Sequence, residues 1–228
     1  MLHNTLKHRL FCSLVYSITL LLPVAASAEP TALQRWHQQA VADGFDGQVA
    51  VIQAGKPLLL QAYGMADHEA GRAFTTDTVF DIGSITKQFT AAAILKLQEQ
   101  GKLQLTDTLG RFFPEADDDK KLITLHQLLT HSSGLVTNLS GGDYSKVSRN
   151  IFIKRLFRSK LEAPSGSAFS YSNAGYAVLG LVIERVSGQS YEQYIHQQLL
   201  QPAGLSHTGY RIPDWQALPL ATGYELKR

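Results

Sequence analysis

The chain has 228 residues, 44% hydrophobic and 18% charged, with 21 Lys and Arg against 19 Asp and Glu and a single cysteine, Cys12. Residues 1–28 read as a secretory signal peptide: Lys7 and Arg9 form a basic start, Leu10 to Leu22 an apolar run short for a bilayer span, and Ala26-Ser27-Ala28 a small-residue cleavage site. Cleavage before Glu29 would leave 19 basic and 19 acidic residues and no cysteine, which speaks against a nucleic-acid partner and excludes a disulfide framework or a thiolate metal site.

An uncleaved anchor is the alternative, but Pro23 and the small residues after it favour cleavage. The expected location is therefore periplasmic or secreted, with no integral membrane span after cleavage. Leu10 and Phe11 leave no small residue before Cys12, so lipidation is not expected. The remaining length suits one domain or a two-lobed unit. Six histidines remain, none in an HExxH-like ligand pair; His126 and His131 stand five apart. Neither a metal nor another cofactor is expected.

Pro30 to Asp43 has helical spacing in Leu33, Trp36, Ala40 and Val41 and stops at Gly44. Gly47 to Gln53 and Leu58 to Tyr63 are β-rich runs joined through Ala54 to Pro57, a natural hairpin. Such a pair is marginal alone and needs more sheet or a covering helix. From Phe80 a helical pattern begins, with Ile85, Phe89, Ala92, Ala93 and Leu97 on one face and Gly101 beyond its end. Asp117 to Asp119 reads as a solvated acidic turn. Further helices are predicted at Thr124 to Thr130, around Lys146 to Lys160, at Asn173 to Val186 with Ser187-Gly188 as a stop, and at Tyr191 to Leu200. The stretch Lys146 to Lys160 carries six basic residues and no acidic one. An amphipathic helix with a solvated basic face explains it, and contact with an anionic membrane face or cell-wall polymer is the alternative. The domain reading is an N-terminal helix and hairpin over 29–79 and a mainly helical lobe over 80–228.

Ser84-Ile85-Thr86-Lys87 falls at the start of the predicted helix. Residues three apart share a helix face, so a serine hydroxyl and a lysine amine can come within hydrogen-bonding reach. Serine needs a neighbour to take its proton, and the helix start offers backbone N–H groups to a developing oxyanion. An isolated S-x-x-K is better read as an N-capping serine with an exposed lysine one turn on. Tyr171-Ser172-Asn173, the only Y-x-N, follows Ser165-Gly166-Ser167 and precedes a helix. In an extended segment its phenol and carboxamide project together. A phenol can relay a proton and an amide can hold both a lysine and a substrate amide; a half-buried tyrosine with an N-cap asparagine is the plainer alternative.

Together these motifs resemble the serine β-lactamase and penicillin-binding-protein superfamily, nearest its class C β-lactamase-related branch. The resemblance extends over Phe80 to Lys102, Leu128-Leu129-Thr130-His131-Ser132-Ser133-Gly134-Leu135, Tyr171 to Gly180 and Pro202 to Tyr210. It implies an α+β fold of the β-lactamase/transpeptidase type, a helical lobe with part of an antiparallel sheet. It further implies that Ser84 attacks an acyl carbonyl, Lys87 accepts its proton, Tyr171 protonates the leaving group and Asn173 orients Lys87 and the substrate. The Ser84 backbone N–H would serve as an oxyanion donor. His131 is read as scaffold. The implied partner is a small-molecule or peptide substrate, a β-lactam, a D-Ala-D-Ala-type peptide or an ester, with peptidoglycan as one source. The superfamily has a third motif, K-T-G or H-x-G, on a later strand. His207-Thr208-Gly209 matches its letters but comes only 34 residues after Asn173, so it is read as a decoy. On that reading the C-terminal strands and closing helix are missing from this sequence, the hairpin keeps an open apolar edge, and activity of the truncated chain is uncertain. The alternatives are a noncatalytic cell-wall peptide-binding protein and the remnant of a split gene.

Overall fold

The computed structural model describes residues 31–139, 147–210 and 218–224, so the predicted signal peptide and Lys146 lie outside the described residues. The described chain falls into two units, one ending at Phe45 and one beginning at Asp46.

In the first unit, helix α1 spans Ala32–Ala42. Its start is a reciprocal cap: the Gln34 N–H donates to Thr31 Oγ1 at 3.2 Å and the Thr31 N–H to Gln34 Oε1 at 2.7 Å. Gly44, at φ +70°, follows its end.

In the second unit, β1 (Gly47–Gln53) and β2 (Lys56–Tyr63) pair antiparallel. The loop is tighter than predicted. Ala54 and Gly55 both take positive φ, +48° and +74°, as a two-residue hairpin turn requires. Lys56 and Pro57 therefore enter the strand, and the register slips between Val51 and Ile52 opposite Pro57, which has no N–H for the ladder. Ile52, Leu58 and Leu60 on this hairpin remain more than half exposed. A second small sheet, β3 (Met65–Asp67) with β4 (Arg72–Ala73), was too short for the sequence to reveal by alternation. Residues 218–224 fold back onto this region. Val79 donates to the Pro219 carbonyl at 3.0 Å and accepts from the Ala221 N–H at 2.7 Å, and the Thr222 N–H reaches the Ala66 carbonyl at 2.8 Å.

The rest of the unit is helical, giving the α+β class expected. Helix α2 covers Thr86–Glu99 and is preceded by a 3₁₀ turn, Gly83–Ile85, rather than beginning at Phe80. Gly83 sits at φ +52°, outside helical dihedrals, and its N–H is held by Asp81 Oδ1 at 2.8 Å, so the helix cannot extend upstream. Its buried face is Thr90, Ala93, Ile94 and Leu97; Ile85 and Ala92, expected on that face, are exposed. Two one-turn helices, α3 (Leu109–Phe112) and α4 (Asp118–Lys121), follow. The acidic run is thus not a turn but the start of α4, where acidic side chains suit a helix N-terminus. It also serves a buried cation: Lys120, 1% exposed, donates to both Asp119 oxygens at 2.9 Å.

Helices α5 (Leu125–Leu129), α6 (Arg149–Phe157), α7 (Asn173–Ser187) and α8 (Tyr191–Ile195) complete the lobe, with a π-helical turn, His196–Leu200, continuing α8. Gly188 at φ +70° ends α7. The core joins Ile94 and Leu97 of α2 to Val178, Leu179, Val182 and Ile183 of α7, with Leu128 of α5 and Leu156 of α6. Each such side chain removes apolar surface worth about 1.5–3 kcal/mol. This packing of α2 on α7 brings the N-terminal ends of both helices to one place.

Candidate active site

Ser84 sits in the 3₁₀ turn and Lys87 in the first turn of α2, so their three-residue separation becomes a contact: Lys87 Nζ donates to Ser84 Oγ at 3.1 Å. Tyr171 lies in the extended segment before α7, and Asn173 is that helix's first residue. The cap is Ser172, not Asn173 as the plainer reading supposed. Its Oγ accepts the Gly175 N–H at 2.9 Å and donates to the Val136 carbonyl at 2.7 Å. With the cap supplied by the residue between them, Tyr171 and Asn173 both turn toward Lys87. Tyr171 Oη lies 2.7 Å from Ser84 Oγ, and Asn173 Oδ1 accepts from Lys87 Nζ at 2.6 Å. Nζ also stands 4.7 Å from the Tyr171 ring centre and 5.7 Å from that of Tyr176. All four side chains named from the sequence thus form one connected group around a solvent-exposed serine. The Ser84 N–H lies where a helix start leaves backbone donors without a partner in the helix.

Two further residues shape the group. His131 takes φ +55°, and its Nδ1 accepts the Ser172 N–H at 3.0 Å while its carbonyl accepts the Ser170 N–H at 2.7 Å. Its ring lies 4.6 Å from Tyr171 and 4.9 Å from Tyr176, centre to centre. Burial, and then the Lys87 charge, hold its pKa below the ordinary histidine value. An accepting Nδ1 places the proton of the neutral ring on Nε2. Tyr176, whose hydroxyl donates to the Leu129 carbonyl at 3.0 Å, has its pKa raised by burial and then by Tyr171. Asn138 was not found from the sequence. Its Oδ1 accepts from Asn173 Nδ2 at 2.9 Å, and the neighbouring Thr137 carbonyl accepts the Asn173 N–H, also at 2.9 Å. The one available signal was its place three residues beyond the characteristic Leu128 to Leu135 segment.

His207 lies in a turn rather than on a strand. With Thr208 and Gly209 it borders a cavity of about 750 Å³ whose walls include Ile82, Thr86 and Tyr191 but none of Ser84, Lys87, Tyr171 and Asn173.

A mixed fold with small antiparallel sheets, and a serine, lysine, tyrosine and asparagine joined across the N-terminal ends of two packed helices, define the β-lactamase/transpeptidase class. Residues 33–228 match the family described as Beta-lactamase, and the chain belongs to it. It is 33% identical over 186 residues to protein flp of Staphylococcus aureus (strain COL), covering 78% of this chain and 37% of that protein. Among solved structures, FmtA from Staphylococcus aureus superposes with a TM-score of 0.74 at 29% identity, over 83% of this chain and 54% of FmtA. EstCE1, a hydrolase with promiscuous acyltransferase activity, gives a TM-score of 0.72 at 30% identity, over 86% of this chain and 56% of EstCE1. The chain therefore spans about half the length, or less, of these relatives.

Proposed function

We propose that this chain is an exported serine acyl hydrolase that works through an acyl-enzyme at Ser84. Ser84 Oγ attacks an amide or ester carbonyl, forming the Oγ–C bond as its proton passes to Lys87 Nζ, which must be uncharged at that moment. Tyr171, in contact with the same Oγ, delivers a proton to the departing nitrogen or oxygen as the C–N or C–O bond breaks, and later helps water attack the acyl group. Asn173 fixes Lys87 and offers its amide to the substrate, and the Ser84 N–H supports the oxyanion. The observation that carries this reading is the contact of Ser84 Oγ with both Lys87 Nζ, at 3.1 Å, and Tyr171 Oη, at 2.7 Å. The substrate class is a β-lactam, a D-Ala-D-Ala-type peptide or an ester, met in the periplasm or outside the cell, with peptidoglycan a source of the peptide.

Labelling with a fluorescent penicillin and with a fluorophosphonate tests the assignment. An adduct is expected in the parent chain and absent from Ser84→Ala, and Tyr171→Phe should slow its formation by about 10²–10⁴-fold. No Ser84-dependent adduct with either reagent would overturn the hydrolase reading.

A further inference from the structure

Most described arginines of the second unit are spoken for. Arg72 reaches Asp67 and the Leu220 carbonyl, Arg111 pairs with Asp107, Arg149 with Glu184 and Glu192, and Arg185 with Glu115 and the Phe112 carbonyl. Arg155 and Arg158 differ: neither has an ion pair or a side-chain hydrogen bond among the described residues. Glu162, the first acidic residue after them, pairs with neither. Standing three apart at the end of α6, the two side chains share one face. Both are exposed, and both line an open cavity of about 640 Å³ together with Val136, Asn138, Leu139 and Ser159.

Asn138 ties this cavity to the nucleophile. It accepts from Asn173, Asn173 accepts from Lys87, and Lys87 contacts Ser84 Oγ. Three hydrogen bonds thus separate the cavity wall from the reacting atom, a distance on the order of 10 Å, or about three extended residues. Two guanidinium groups without carboxylate partners among the described residues, facing one cavity, form a ready receptor for a carboxylate, which arginine binds through paired N–H donors.

We propose that Arg155 and Arg158, with Asn138 beside them, form a subsite for a carboxylate on the acyl part of the substrate, about three residues from the carbonyl that Ser84 attacks. A carboxylate on the residue next to the scissile bond is too close to reach it. The placement of that carbonyl rests on the hydrolase reading; the anion subsite deepens it by making the substrate an acidic acyl donor. Cations in the last turn of a helix also stabilise the helix, so binding, not stability, is the discriminating readout.

The test uses the whole chain carrying Ser84→Ala, titrated calorimetrically with two Gly-D-Ala-D-Ala peptides, one N-succinylated and one N-acetylated, so that the succinyl carboxylate stands about three residues from the attacked carbonyl. The succinyl form should bind about tenfold tighter at low salt, as expected of charged hydrogen bonds, and the preference should shrink as salt is raised. It should vanish in Arg155→Gln/Arg158→Gln and survive in part in Arg155→Lys/Arg158→Lys, with a retained cooperative thermal transition showing that the variants fold. Equal affinity for the two peptides, no measurable binding of either, or a preference that survives the double glutamine variant would overturn the subsite. Fluorophosphonate labelling of Ser84 in the Arg155→Gln/Arg158→Gln chain, compared with parent, keeps the two readings apart. Loss of labelling in the parent sinks the hydrolase, whereas a missing succinyl preference with labelling intact sinks only the subsite.

Discussion

His131 occupies a left-handed conformation that costs a non-glycine residue about 1–2 kcal/mol. Its contacts explain why that cost is met: the backbone carbonyl and Nδ1 take the N–H groups of Ser170 and Ser172, and the ring lies between Tyr171 and Tyr176. The imidazole does not touch Ser84, so it is a positioning residue that holds the segment carrying Tyr171 and Asn173. His131→Ala should destabilise the chain by about 1–3 kcal/mol, since it leaves a backbone donor unpaired, and should slow Ser84 labelling by a larger factor than Ser132→Ala. The pH dependence has a definite sign. Burial and Lys87 lower the folded pKa of His131, so the unfolded chain takes up a proton at a higher pH than the native one. Its contribution to stability is complete above the unfolded value near 6.5 and is lost as pH falls through the lowered folded value. Thermal midpoints measured from pH 7.5 to 5 should therefore fall more steeply for the parent than for His131→Ala. Equal slopes would remove His131 as the source. At this scale the sequence showed the local spacings well: Ser84 to Lys87 on one helical turn, Tyr171 to Asn173 on one side of an extended segment. It could not show that the two pairs meet, 86 residues apart in the case of Lys87 and Asn173, because that depends on how α2 packs against α7.

Among the elements, α5, α6 and α7 were legible because each couples apolar periodicity with a stop or cap, such as Gly188 after α7 or Thr124 before α5. Helix α2 was legible in existence but not in phase. The positive φ of Gly83 delays its start, and packing against α7 buries Thr90, Ala93, Ile94 and Leu97 rather than Ile85 and Ala92. The short elements β3, β4, α3 and α4 carry too few residues for a period to register. One glycine decides how the elements meet. Gly134, at φ +73°, has its carbonyl bonded to the Glu162 N–H at 2.8 Å, and a Cβ there would lie 2.0 Å from the Ala163 carbonyl oxygen. The backbone of the His131 to Asn138 segment can thus lie against the approach to Tyr171 only because no side chain intervenes. Gly134→Ala should cost about 2–5 kcal/mol, combining backbone strain with overpacking. Gly188→Ala, at φ +70° with no atom within 4 Å of the added Cβ, should cost only about 1–2 kcal/mol. Urea unfolding of both variants checks the contrast, and equal losses would mean that the close approach at Ala163 does not hold the segment.

For the molecule as a whole, the consequence of greatest practical weight lies at the β1–β2 hairpin. Among the described residues these two strands form a sheet by themselves, with no third strand on either edge. The face that alternates through Ala50, Ile52, Leu58 and Leu60 points to solvent, whereas Val49, Val51 and Leu59 on the other face are partly covered. Unpaired strand edges beside exposed apolar side chains are a template for pairing with another chain. Among the described residues the hairpin thus shows the open apolar edge anticipated from the sequence, and that edge should govern behaviour in solution. The parent chain is expected to associate as its concentration rises, seen as growing light scattering and earlier elution in size exclusion. Leu58→Lys combined with Leu60→Glu places opposite charges on that face without touching the core around Ile94 and Leu97. The double variant should stay monodisperse over the same range, with stability within about 0.5 kcal/mol of the parent for each exposed substitution. A parent chain that remains monodisperse at every concentration, or a double variant that associates equally, would show that the exposed hairpin face is not what drives self-association.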